Sequence, residues 1–112
     1  MYAIQMTKKP LAQLEKIRKR IDKIKTELAA IEEMRPGSLT RQFKDAKAKT
    51  GPYYQVSYTR DMKSRTQYVP RDCVADLRRQ IATYKRFKSL TEKWIDLSIE
   101  YSRLKMKLER TP

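Results

Sequence analysis

The sequence predicts a mainly helical α+β protein, in which a long N-terminal helix, a two-stranded antiparallel hairpin and a long C-terminal helix follow one another. Apolar residues recur at helical spacing near both ends of the chain, while a central stretch alternates with the period-two pattern of a strand. The two helices are expected to pack as an antiparallel coiled-coil-like pair. At 112 residues the chain has room for a single domain, 1–112.

The first helix is predicted over residues 8–34. Its apolar residues are separated by alternating intervals of three and four, which is the heptad spacing of a narrow coiled-coil seam. These residues are Leu14, Ile17, Ile21, Ile24, Leu28 and Ile31. Pro10 suits the first turn of this helix. Pro36 is expected to end it, because proline disfavours helical geometry at the residue before it.

Residues 35–52 are predicted to form a basic loop. Ser38 is a suitable cap for one short helical turn over 38–43. The polar and basic stretch that follows, 44–51, has neither the strand nor the helix pattern. The loop is therefore expected to connect the first helix to the hairpin without regular structure of its own.

A β-hairpin is predicted over residues 53–70. Tyr54, Val56 and Tyr58 alternate with mostly polar neighbours, a pattern typical of a strand. A turn is predicted at 60–63, and Pro70 ends the second strand. Because a two-stranded hairpin is only marginally stable alone in water, it is expected to rest on the helices or on a ligand.

The second helix is predicted over residues 71–109, with Pro70 at its first turn. Its heptad spacing is interrupted by intervals of three on both sides of Tyr84, and such a stammer locally overwinds a coiled coil or marks a change of packing partner. The hairpin is expected to cover the apolar residues between 74 and 84, and helix one those between 87 and 108. These residues are Val74, Leu77, Ile81, Tyr84, Phe87, Leu90, Trp94, Leu97, Tyr101, Leu104 and Leu108.

The chain carries 27 basic and 13 acidic residues, a formal net charge of +14. The net charge is +3 over residues 1–34, +6 over 35–72 and +5 over 73–112. A charge of this size attracts polyanions over a Debye length or more. DNA, RNA, an anionic membrane surface and an acidic protein all fit as partners, and a ribosomal or virion-packaging role fits the composition. The middle segment, with the largest excess, is expected to contain the contact surface.

The residue types present disfavour catalysis. The chain has no histidine and one cysteine, Cys73, so it lacks the usual general base near neutral pH and the commonest metal ligand. No spacing of its acidic residues is typical of a metal site. We therefore expect no enzymatic activity, no cofactor and no metal. The first residues do not have the layout of a signal peptide, and no apolar run approaches the ~20 residues of a membrane span. These features predict a cytoplasmic protein without a membrane partner.

Nucleic-acid contacts are assigned to ten residues in the loop, the hairpin and the start of helix two. Tyr53 and Tyr58 are expected to contact bases or sugars, because tyrosine rings stack on exposed bases. The alternatives are packing of the tyrosines beneath the sheet, the commoner fate of any one of them, and simple solvation of the basic side chains. The residues expected to contact phosphates are Lys47, Lys49, Arg60, Lys63, Arg65, Arg71, Arg78 and Arg79.

Four spaced motifs follow one another along the chain: Arg35-Pro36-Gly37-Ser38-Leu39, Gly51-Pro52-Tyr53-Tyr54, Tyr68-Val69-Pro70 and Tyr84-Lys85-Arg86-Phe87. In this order they resemble the motifs of an uncharacterised prokaryotic family of small basic proteins, often carried on mobile elements and near transposase genes. Many members of that family have a cysteine cluster, similar to a zinc site, between the first two motifs. Here the matching stretch, 44–49, has no cysteine. The resemblance implies mobile-element biology and no particular reaction.

These observations favour a nucleic-acid-binding accessory protein of a mobile element or phage-like system, with DNA and RNA both open as ligands. A tyrosine-rich hairpin that leads into a basic helix is also similar to the arm-site DNA-binding module of phage-type integrases, whose sheet enters the major groove. The alternative is a protein-interaction (coiled-coil) module that binds or regulates a larger nucleoprotein partner, such as a transposase or an RNA-guided nuclease. A homodimer through the helices is compatible with either function.

Overall fold

The computed structural model describes residues 2–110 of the chain, with side-chain environments from Lys9 onward. Two long helices and an antiparallel sheet are present, and the protein is mostly helical, as predicted. Packing divides the chain into two compact units, a helix-pair unit of residues 1–31 and 87–112 and a sheet unit of residues 32–86. The elements are α1 (Tyr2–Ala29), β1 (Ser38–Asp45), β2 (Thr50–Arg60), β3 (Lys63–Val69), a 3-10 turn (Arg71–Cys73) and α2 (Val74–Arg110).

The helix-pair unit combines α1 with the C-terminal part of α2. The guanidinium of Arg18 contacts the Tyr101 ring, and the ammonium of Lys25 lies over the Trp94 ring, so the two helices run in opposite directions. The heptad positions of both helices form the core, because residues at heptad spacing lie on one side of a helix, here the side that faces the partner helix. The buried residues are Ile17, Ile24, Leu90 and Leu97, and Ile21, Leu28, Ile31, Trp94, Tyr101 and Leu104 pack against them half-buried.

Helix α1 begins and ends earlier than the predicted 8–34. Pro10 lies inside the helix, where it removes one backbone donor, and the chain is helical on both sides of it. The helix ends at Ala29 rather than at residue 34. The backbone amide of Arg35 instead donates to the carbonyl oxygen of Gln80 at 3.1 Å, a bond that a continuing α1 would not allow.

The sheet has three antiparallel strands in the order β1-β2-β3, not the two predicted over 53–70. The prediction of a basic loop over 35–52 with a helical turn at 38–43 is therefore wrong, because Ser38–Asp45 forms β1. Six of the eight residues in this strand are polar or charged. Pairing with β2 satisfies its backbone groups, so tertiary structure overrides the weak local preference.

The sheet unit is held together by apolar residues from one face of the sheet and from the first turns of α2. Val56 is completely buried, and Val69, Leu77 and Ile81 form the core with it. Leu39, Tyr54 and Val74 pack against this core. The apolar residues of α2 up to Ile81 thus belong to the sheet unit, and those from Leu90 onward to the helix-pair unit. The change of packing partner that the stammer predicts is confirmed.

No helix within residues 2–110 is long and apolar enough to cross a membrane.

Candidate nucleic-acid interface

The antiparallel register divides the side chains of the sheet between two faces of different chemistry. The helix-side face contains the core residues, with Val56 directly across from Leu39 and Tyr54 directly across from Val69. The other face, which we call the open face, has uncharged cross-strand pairs along most of its length, with Lys44 beside Gly51 at its β1–β2 end. These pairs are Ser38–Ser57, Thr40–Gln55, Gln42–Tyr53, Gln55–Tyr68, Ser57–Thr66 and Thr59–Ser64.

Hydroxyl and amide groups cover the open face. The hydroxyls of Ser57 and Thr66 lie 3.4 Å apart, and those of Thr59 and Ser64 lie 3.3 Å apart. The side chains of Ser57, Thr59, Ser64 and Thr66 are all exposed. Hydroxyls and amides donate and accept hydrogen bonds, so the face can pair with the polar edges of nucleobases as well as with water.

Two tyrosines stand on the open face. Tyr68 is 63% exposed and lies directly across from Gln55, which places it diagonal to the half-buried Tyr53. Diagonal neighbours in a sheet lie about 7–8 Å apart, within reach of aromatic side chains. Tyr68 is not among the ten residues assigned from the sequence. Its place beside Tyr53 follows from the hairpin register, in which Gln55 pairs with Tyr68.

Tyr58, the second tyrosine assigned to base contact, lies on the helix-side face. The Arg35 guanidinium stacks over its ring at 5.1 Å from the centroid. Arg35 Nη2 also donates to Gln67 Oε1 at 2.7 Å. Tyr58 is half-buried, and one side of its ring is covered by Arg35. It therefore holds an arginine in place, and it does not share a surface with Tyr53.

The basic residues assigned to phosphate contact lie at opposite ends of the sheet. Lys47 and Lys49 belong to the β1–β2 turn, which is fixed by Asp45 Oδ1 accepting backbone amides of Lys47 and Ala48 at 3.1 Å each. Arg60, Lys63 and Arg65 flank the β2–β3 turn at the other end, on the helix-side face, because Arg65 pairs with Tyr58 and Arg60 with Lys63. β2 has 11 residues, which separates the two ends by roughly 33 Å at about 3.3 Å per residue.

The remaining three basic residues lie at the start of α2. Arg71 belongs to the 3-10 turn that follows β3, near the β1–β2 end of the sheet, because Val69 pairs with Tyr54. Arg78 is exposed, and Arg79 forms an ion pair with Asp76 at 3.4 Å. The structure therefore gathers Tyr53, Lys47, Lys49 and Arg71 toward one end of the sheet. It does not bring all ten assigned residues onto one surface.

Net charge does not distinguish the two units. The sheet unit has 13 basic and 6 acidic residues, and the helix-pair unit has 14 and 7, so each carries a net charge of +7. The expected concentration of charge in the middle of the sequence is thus balanced in the fold by the basic residues of α1 and α2. What sets the sheet unit apart is the open face, whose central side chains are uncharged and whose β1–β2 end carries lysines.

The fold and these surfaces define a small basic α+β protein with an exposed, largely uncharged sheet face. The chain belongs to the family described as Domain of unknown function (DUF6788), whose profile matches residues 12–79, more than half of its length. The matched region contains all three strands and the first turns of α2. No curated protein and no solved structure shows significant similarity to the chain. Among residues 2–110, no three His, Cys, Asp or Glu side chains are grouped to hold a metal ion.

Proposed function

We propose that the protein is a non-enzymatic nucleic-acid-binding accessory protein whose open face binds unpaired bases and whose basic sheet ends bind phosphates. The observation that carries this proposal is the chemistry of the open face. It joins tyrosine, amide and hydroxyl groups in one layer, with Lys44, Lys47 and Lys49 at its β1–β2 end.

The tyrosines favour single-stranded or looped nucleic acid over duplex. In a duplex both faces of each base are covered by its neighbours, whereas an unpaired base can stack on a tyrosine ring. Each such stack is worth about 1–3 kcal/mol and tolerates any base. Tyr68 and Tyr53 supply two rings, and the amide of Gln55 lies between them. The hydrogen-bonding groups around them suit the edges of unpaired bases.

The phosphate contacts are assigned to two basic groups. Near the tyrosines, Lys44, Lys47 and Lys49 surround the β1–β2 turn; the Lys44 side chain lies beside Gly51. At the far end, Arg60, Lys63 and Arg65 flank the β2–β3 turn. Arg65 pairs with Tyr58 and Arg60 pairs with Lys63, so these three side chains belong to the helix-side face. A strand laid on the open face along β2 would meet the lysines at its β1–β2 end, and would reach the far-end cations only by passing around the β2–β3 turn. Affinity should therefore fall steeply as salt rises.

The helix pair is the scaffold in this proposal. Its core residues recur at heptad spacing, which supports packing in the manner of a coiled coil. The setting in a mobile element or phage-like system is supported by the resemblance of the Arg35–Leu39, Gly51–Tyr54 and Tyr68–Pro70 motifs.

A second candidate function is a protein-interaction module that binds a larger nucleoprotein partner. The observation that favours it is an apolar surface on α2, where Ile95 and Ile99 are about half exposed. This surface belongs to the helix-pair unit, so the two functions use different parts of the chain.

A salt-titrated binding assay tests the proposal. The purified chain is titrated with single-stranded DNA, structured RNA and duplex DNA of matched length across a series of salt concentrations. We expect the single strand or the RNA loop to bind more tightly than the duplex, with a slope equivalent to several phosphate contacts. Weak binding to all three that vanishes near physiological salt would reject the first function and leave the second.

A further inference from the structure

We propose that two copies of this chain associate through the outer face of α2, with the two helices antiparallel. The outer face consists of Thr91, Ile95, Ser98, Ile99, Ser102 and Met106, which together line one groove along the helix. All six belong to the helix-pair unit. The open face of the sheet is not part of it. Trp94, which also packs against the helix-pair core, and Arg103 line the same groove.

The C-terminal part of α2 is apolar on two sides, of which α1 covers one. At 100° per residue, Ile95 and Ile99 each lie about 160° around the helix from the buried Leu97. They are 56% and 48% exposed, and Met106 is 55% exposed. A helix of a monomer usually has one apolar stripe and a polar opposite face. The second stripe therefore points to a further packing partner.

The shape of the outer face suits another helix. Ser98 and Ser102 lie between the larger side chains and leave the groove that Ile95, Ile99 and Met106 border. Small residues between large ones allow side chains of a facing helix to enter, which is how ridges pack into grooves. A groove running along a helix in this way accepts a second helix along its length.

Charge identifies the partner helix as a second copy of α2. One edge of the outer face carries Glu92 and Asp96 toward its N-terminal end and Arg103 and Arg110 toward its C-terminal end. A two-fold axis that passes near Ile99, perpendicular to the helices, makes the two copies of α2 antiparallel. The charged edge of one copy then lies beside the charged edge of the other, and the two edges run in opposite directions. Asp96 of each copy then lies beside Arg103 of the other. A parallel pair would put the two edges on opposite sides, without such matching.

The interface is isologous, which means that each copy contributes the same surface to it. Association therefore stops at two copies, and no further apolar stripe is left exposed. Dimer formation also buries the apolar surface of Ile95, Ile99 and Met106, which a monomer would leave exposed to water. Each copy keeps its own sheet unit, so a dimer would offer two open faces to one nucleic acid. The association itself does not depend on nucleic-acid binding.

Sedimentation velocity over a range of concentrations, at about 0.15 M salt, tests the association without any nucleic acid present. We expect a concentration-dependent mass of two chains. Ile99→Lys should raise the dissociation constant more than about tenfold, because it places a charge in the interface. Met62→Lys is the matched control, since Met62 is 97% exposed in the β2–β3 turn and should leave the mass distribution unchanged. Circular dichroism checks that each variant is as helical as the parent.

Exchanging the charges of Asp96 and Arg103 distinguishes this dimer interface from an interface formed by another surface of the chain. Asp96→Arg and Arg103→Asp should each weaken the dimer although they change the net charge in opposite directions, and the double exchange should restore it. A chain that is monomeric at every concentration overturns the proposal. So does a dimer that withstands Ile99→Lys, or a double exchange that is no tighter than either single one.

Discussion

Tyr53 and Tyr68 lie diagonal to each other on the open face, because Tyr68 pairs with Gln55, two residues further along β2 than Tyr53. The two-residue β2–β3 turn sets this register. Asp61 and Met62 both have positive φ angles, 52° and 64°, the geometry of the tight turns that match the twist of a hairpin. The turn thereby determines which tyrosines share a surface, and Tyr58 falls on the other face.

Replacing Tyr68 with alanine should weaken binding to single-stranded nucleic acid about tenfold, since one stacking contact is lost. The salt slope should stay the same, because no charge is removed. Stability should change little, as the side chain is exposed. Tyr58→Ala is the matched control and should affect binding less than Tyr68→Ala. Fluorescence anisotropy measures both, and equal losses for the two variants would contradict the assignment.

Neutralising the β1–β2 turn should flatten the salt dependence. The variant Lys47→Gln with Lys49→Gln loses two phosphate contacts, and each contributes about 0.7 to the slope of log affinity against log salt for a single strand. The slope should therefore fall by about 1.4. Lys19→Gln with Lys23→Gln on α1 removes the same charge from the other unit and should leave the slope unchanged. A slope that falls equally in both variants would indicate diffuse attraction rather than a site.

Neutralising Lys63 and Arg65 at the other end of the sheet tests whether the ligand spans both basic groups. Both side chains belong to the helix-side face, so affinity and slope should both decrease if the bound strand continues around the β2–β3 turn. A short oligonucleotide that reaches only one end should lose less in this variant than a long one. An unchanged slope with the long ligand would remove the β2–β3 end from the interface.

Gly37→Ala should destabilise the sheet unit by about 2 kcal/mol or more. Gly37 has a φ of +145°, and an added Cβ would lie 2.7 Å from Val56 Cγ2 in the core. Gly51→Ala should cost less, because its φ of +66° lies in the left-handed region that other residues can adopt, and the added Cβ would meet Lys44 Cβ at 3.0 Å, further away than the 2.7 Å contact at Gly37. Urea unfolding followed by circular dichroism compares the two. A larger loss at Gly51 would show that the core contact at Gly37 does not dominate.

Leu97→Ala should destabilise the helix pair by about 2–5 kcal/mol, because it leaves a cavity among buried side chains. Leu97 is 5% exposed, whereas Leu11 on α1 is 52% exposed, so Leu11→Ala is a control with the same chemical change. The control should cost under about 1 kcal/mol. Thermal unfolding ranks the two variants, and similar midpoints would argue against a core centred on Leu97.

The helical part of the fold could be predicted because heptad spacing is a strong and local signal. The intervals around Tyr84 even predict where α2 changes its packing partner. Strand β1 could not be predicted, since Ser38–Asp45 is mostly polar and becomes a strand only by pairing with β2. The end of α1 was missed for a similar reason: the Arg35 amide bonds to the Gln80 carbonyl, 45 residues away in sequence.

For the candidate site, the sequence allowed us to predict the residue types but not their arrangement. Basic residues and tyrosines in the middle of the chain are visible in the sequence, but their faces depend on strand register. Tyr53 and Tyr58 are an odd number of residues apart and must point to opposite sides of β2. Tyr68 joins Tyr53 only once the two-residue turn is known. The contact of Arg35 with Tyr58 has no local sequence signal.

Chemical-shift mapping of the labelled protein during titration with a single-stranded oligonucleotide tests the central claim most directly. We expect the largest chemical-shift changes at open-face residues such as Thr40, Gln55 and Tyr68, and smaller changes at Lys47 and Lys49. Ile17 and Leu97 in the helix-pair core should not shift. Changes confined to the helices, or none on the open face near physiological salt, would contradict it.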